Sequence, residues 1–85
     1  MKPIQARAAR HGLRLTAKDV ATGAGVSDFT VKRFEKGGAK SLQDTVDAMR
    51  DFYRSHGVRF VEDGDEYGVL FGPVAEPRLP LDASA

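Results

Sequence analysis

Twenty residues from Ala17 to Lys36, AKDVATGAGVSDFTVKRFEK, limit this chain more than any other feature. Ala21 stands where only a small side chain lets two helices cross closely. Gly25 follows four residues later, where a tight turn needs a left-handed backbone that costs other residues about 1 kcal/mol or more. Val26 plugs the space beneath that turn. Val20 and Ala24 face inward from the helix before it, Val31 and Phe34 from the helix after it. Each residue type has a steric reason at its place, and the whole is the pattern of a helix-turn-helix.

The flanking segments extend this plan. A first helix begins near Pro3, tolerated in a first turn, and runs through IQARAARHGL, where Ile4, Ala8 and His11 can share one face and Gly12 weakens the end. Thr16 and Asp19 form a capping-box pattern for the second helix, AKDVATGA, which Gly25 closes. Ser27 caps the third, DFTVKRFEK, ended by Gly37 and Gly38. Ser41 caps a fourth, with Asp44 in its first turn, an apolar stripe of Leu42, Val46, Met49, Phe52 and Tyr53, and Gly57 at its end. Then the period changes. VRFVE and YGVLFG alternate as strands do, and DGDE between them has turn chemistry. The expectation is a mainly α protein: a small four-helix, repressor-like bundle over residues 1–57, a β-hairpin extension over 58–72 and a Pro-rich flexible tail over 73–85. A lone hairpin is marginal. It either packs on the helices or pairs with a second chain, and Val58, Phe60, Tyr67, Val69 and Phe71 are the expected dimerisation residues.

Eighty-five residues suit one domain with a modest core. With no cysteine, neither disulfides nor thiolate metal sites can form, as in a cytoplasmic protein. No apolar run has a membrane span's length, and MKPIQARAARHG lacks a signal peptide's apolar stretch. His11 and His56 have no metal-ligand spacing, EDGDE lacks an EF-hand's length, and no nucleophile–base set is recognisable. The expectation is no enzyme, no metal and no small-molecule cofactor. Charge is uneven. Residues 1–40 hold nine Lys or Arg against three acids, a net +6, whereas residues 58–85 sum to −4. A basic front half suits a polyanion.

The stretches ARAAR, LRLTAKDVATGAGVS and TVKRFEKG together resemble the XRE family, the Cro and phage-repressor type of helix-turn-helix protein, over about residues 4–53. The segment after the fourth helix is similar to small bacterial members that end in a β-extension. The resemblance implies a compact helical bundle, dimeric on DNA, with an ion pair between Arg10 and Glu35 that orients the helices. It makes Arg10, Ala21, Gly25, Val31, Phe34 and Glu35 structural. It gives double-stranded operator DNA as the partner, met by Lys18, Ser27, Asp28, Phe29, Thr30, Lys32, Arg33, Lys36 and Lys40. The match departs from the family at three places. The helix before the turn opens with Ala17 where Gln commonly binds a phosphate. Arg14 stands where a glycine is common. The recognition helix opens with Asp28 and Phe29 instead of polar readers. At 100° per residue Phe29 lies about 200° from Val31 and so points outward. These departures support a second expectation, an antiactivator that binds a transcription-factor protein through Asp28, Phe29, Lys32 and Arg33 and does not read DNA.

Overall fold

A computed structural model of the chain describes residues 1–37 and 43–73. Four helices precede a two-stranded antiparallel sheet: α1 (Pro3–Gly12), α2 (Ala17–Ala24), α3 (Asp28–Glu35), α4 (Gln43–Ser55), β1 (Val58–Asp63) and β2 (Glu66–Phe71). The expected roles of Gly38, Lys40, Ser41, Leu42 and nearly all of the tail fall outside the described residues.

Local chemistry sets the helix boundaries. The Thr16 hydroxyl accepts from the Asp19 N–H at 3.0 Å, and the Asp19 carboxylate accepts from the Thr16 N–H at 2.8 Å. That backbone donor holds the Asp19 carboxyl below its ordinary range. Gly25 takes φ 75°, and the N–H groups of Gly25 and Val26 both donate to the Ala21 carbonyl, closing α2. The Ser27 hydroxyl accepts from the Thr30 N–H at 3.1 Å and starts α3.

Between α1 and α2 the chain turns through Arg14, the one non-glycine residue with positive φ among the described residues, at 59°. A side chain in this region costs about 1–2 kcal/mol. Glycine relieves that cost but frees the unfolded chain by about 0.4–1 kcal/mol. Arg14→Gly is therefore expected to stabilise the protein by about 0.5 kcal/mol, read as a higher urea midpoint at unchanged slope.

The expected four-helix bundle with an appended hairpin is not the architecture. The protein has four helices plus an antiparallel hairpin that completes one core. α1 packs on α3 and β2, and α4 packs on α2 and β1. The reason is volume. The buried face of α1 consists of Gln5, Ala6 and Ala9, while Ile4, Ala8 and His11 are exposed, and the two alanines fill little of the space beside Met49 and Tyr53. The hairpin fills it. Residues paired across an antiparallel ladder share a face, so the register puts Val58 with Phe71, Phe60 with Val69 and Glu62 with Tyr67 on the side toward the helices. Val58 is buried in the core, and Phe60 and Val69 pack against it. The phenol ring of Tyr53 meets Phe60 edge-on at 6.0 Å. Gln5, buried at 1% exposure, donates from Nε2 to the carbonyls of Val61 (3.1 Å) and Gly68 (3.0 Å), one on each strand. Of the five expected dimerisation residues, Val58, Phe60 and Val69 are thus engaged in this chain's own core, while Tyr67 and Phe71 are about half exposed.

Two glycines allow close approach. A Cβ at Gly12 would meet the Phe71 ring, and one at Gly23 would meet the Phe52 ring. Gly12 therefore costs α1 propensity but admits the end of β2. Gly64, at φ 62°, leads the two-residue hairpin turn, where a left-handed first residue calls for glycine.

Candidate nucleic-acid interface

The α2–α3 pair is held rigidly from inside. Val20, Ala21 and Val31 are buried together, and Phe34 packs against that cluster. The Phe52 ring over Gly23 pins α2 to α4. Glu35, at the end of α3, is 7% exposed. Its carboxylate accepts from Arg10 Nε at 2.7 Å and from Arg10 Nη2 at 2.8 Å, while Arg10 Nη1 donates to the Leu15 carbonyl at 3.2 Å. This two-pronged contact joins α1, the α1–α2 loop and α3. It raises the Arg10 guanidinium above its ordinary range, chiefly through the Glu35 hydrogen bond. Beside it the buried Tyr53 hydroxyl has no hydrogen-bond partner among the described residues. Burial, reinforced by the Glu35 charge, pushes that phenol well above its usual range.

With Val31 and Glu35 inward, the opposite side of α3 is open. Phe29 is 68% exposed. Phe29, Lys32, Arg33 and Lys36 line one shallow pocket of about 330 Å³, an aromatic ring and three cations in a row. No ion pair among the described residues engages these cations or Lys18, which stands exposed on α2. Asp28 is exposed in the first turn of α3, where a carboxylate suits the macrodipole. Ser27 and Thr30 are at the same end, but their hydroxyls face each other at 2.8 Å and serve the cap. Ala17 is buried and brings no donor. Lys40 lies outside the described residues. The structure thus brings Phe29, Lys32, Arg33 and Lys36 together, sets Asp28 ahead of them and occupies Ser27 and Thr30 locally.

Residue patterning passes over Gln5, because a glutamine in a helix reads as a solvated side chain. It also passes over Arg50, Arg54 and Arg59, which meet only when α4 and β1 fold together. Among the described residues no helix is long and apolar enough to cross a membrane, and no group of three His, Cys, Asp or Glu is placed to hold a metal ion. No protein-family model matches the chain, and no curated protein matches it significantly. The likeness to XRE proteins therefore rests on the residues themselves.

Proposed function

We propose that the chain is a small transcription regulator of the XRE helix-turn-helix type that binds operator DNA through α3, as a dimer in the cytoplasm. The observation that carries this reading is the row of Lys32, Arg33 and Lys36, without an ion pair among the described residues, on a short helix fixed by a cap at one end and a buried ion pair at the other. A helix so held keeps its orientation when phosphates approach. The row and Lys18 supply sequence-independent affinity. Phe29 offers an apolar edge for a thymine methyl group, and Asp28 an acceptor for a cytosine amino group. Asp28 also repels nearby phosphates and offsets part of the cationic attraction.

The test is titration with the DNA upstream of the protein's own gene. Binding is expected to fall steeply with salt. Lys32→Ala and Arg33→Ala are each expected to weaken it by about 1 kcal/mol, near fivefold, with unchanged thermal stability. If no backbone amide signal moves at low salt, the DNA reading fails.

The 68% exposure of Phe29 favours a second reading on the same surface. An exposed aromatic ring beside three cations suits an anchor at a protein interface. In that case the chain is an antiactivator that captures a transcription factor. Phe29→Ala then abolishes capture while the fold persists, and capture retained by that variant rules the anchor out.

A further inference from the structure

We infer that the joint between α4 and β1 is an anion site separate from α3, a pocket that takes a phosphate dianion through Arg50, Arg54 and Arg59. The inference does not depend on DNA binding.

Two elements bring the three arginines together. Arg50 and Arg54 stand four residues apart on α4, on one face and about 6 Å apart along its axis. With Arg59 and Phe60 of β1 they line a pocket of about 270 Å³. Successive strand residues send their side chains to opposite faces. Phe60 faces the helices, so Arg59 leaves β1 on the outer face. A pocket that both residues line therefore opens at the edge of β1 away from β2. Arg59 is exposed and borders it from the rim, from where its long side chain can bend over the edge. The strand adds a backbone donor. The Gly72 N–H donates to the Gly57 carbonyl, so the bonded pairs of the ladder fall at Arg59, Val61 and Asp63, and the Phe60 N–H turns to the open edge.

The fold does not neutralise this cluster. Asp47 Oδ1 accepts from Gln43 Nε2 at 2.8 Å and from Arg50 Nη2 at 3.0 Å, which holds the Arg50 guanidinium in place. The Arg50 Nε–H is buried and has no partner among the described residues. That guanidinium has lost water on one side without gaining a bond there, so an anion against its remaining N–H groups recovers much. Arg54 and Arg59 make no ion pair among the described residues. Two arginines at this helical spacing repel each other. A base in the last turn suits the macrodipole, which accounts for Arg54 but not for Arg50 a turn earlier or Arg59 on the strand.

Charge and shape select the ligand. Three guanidinium groups against the one Asp47 carboxylate leave a net +2, which matches a dianion. The donors arrive from a helix and a strand, and so from different directions. That suits the oxygens of a tetrahedral phosphate better than the two in-plane oxygens of a carboxylate, and guanidinium is the side chain best fitted to phosphate. A phosphate diester, DNA included, is a monoanion and leaves one positive charge uncovered. The pocket is at the small end for ligand sites, which fits inorganic phosphate or a small phosphate monoester with its organic part toward Phe60.

The test is a nuclear magnetic resonance titration of the isotope-labelled protein with sodium phosphate, phenyl phosphate, dimethyl phosphate and acetate at matched ionic strength. Phosphate and phenyl phosphate are expected to move the Nε–H signals of Arg50 and Arg54 and the Phe60 amide, with a dissociation constant of about 1 mM or below. Phenyl phosphate binding about threefold tighter or more marks an ester as the ligand, and equal binding marks free phosphate. Dimethyl phosphate and acetate should bind about tenfold more weakly. Arg54→Gln and Arg59→Gln should each weaken phosphate binding about tenfold, while Lys32→Ala on α3 leaves it unchanged. Circular dichroism checks that each variant folds. Phosphate binding that Lys32→Ala removes and the two arginine variants keep overturns the proposal. So does a response that never saturates, or one that acetate or dimethyl phosphate matches. Duplex DNA that moves the Arg54 and Phe60 signals where phosphate moves none overturns it too, and assigns the cluster to nucleic acid.

Discussion

Replacing Gly57 with alanine is expected to destabilise this protein by about 3 kcal/mol or more. Two effects act at one atom. Gly57 has φ 85°, a region that costs an L-residue about 1–2 kcal/mol. A Cβ there would also overlap the Gly72 carbonyl oxygen. That oxygen is backbone, held in place because the Gly72 N–H donates to the Gly57 carbonyl, so it cannot swing aside as a side chain would. The control is Gly64→Ala in the hairpin turn. Gly64 has φ 62° with open space around it, and its loss should cost only about 1 kcal/mol. Urea midpoints of the two variants separate strain from overlap. Equal costs would mean that the α4–β1 joint is looser than described. Since the total stability of a domain this size is about 5–10 kcal/mol, Gly57→Ala should also leave a visibly unfolded fraction on mild heating.

Arg10→Met is expected to cost about 3 kcal/mol, at the lower end for a broken buried pair because Arg10 keeps some solvent contact. The loss comes mainly from Glu35, which remains enclosed without its partner. Removing both charges should then be milder than removing one. The Arg10→Met/Glu35→Met variant should recover most of the lost stability, since an apolar pair of similar volume fills the same space. A double-mutant cycle by urea denaturation measures the coupling. Strictly additive costs would show that the two residues do not act as a unit. The double variant also separates stability from orientation. If it folds well yet weakens the proposed DNA binding, the pair's contribution lies in aiming α3.

The parts of this fold legible in the sequence are those decided locally. Thr16 with Asp19, Gly25 and Ser27 are caps and a left-handed turn, each satisfied within four residues, so the ends of α2 and α3 follow from side-chain chemistry. The strands are legible from alternation, and their inward row from the same period. What the sequence does not show is where the hairpin goes. Val58 reads equally well as a core residue or an interface residue, because burial against one's own helices and burial against a second chain ask for the same apolar surface. The buried face of α1 is not legible for a related cause. Ile4 is the large apolar residue of that helix, yet it is 48% exposed, while Gln5 is buried. A buried amide is favourable only where two carbonyls wait for it, and those carbonyls lie on strands more than fifty residues away. Of the candidate interface, the outward row of α3 follows from helical period once Val31 is placed inside. That Ser27 and Thr30 are occupied with each other is a matter of rotamers.

Gln5 carries one more consequence, for the order in which the chain can fold. Its two bonds span separations of 56 and 63 residues, joining the first helix to the final strand pair. Contacts of that range close late, because the loop between them must first give up its freedom. During synthesis α1 leaves the ribosome early and must wait, its polar Gln5 still hydrated, until β2 has followed. The helix-turn-helix half can collapse on its own local contacts in the meantime, but the Gln5 amide is dehydrated only at the last step. Gln5→Ala should therefore speed unfolding while leaving the folding rate nearly unchanged.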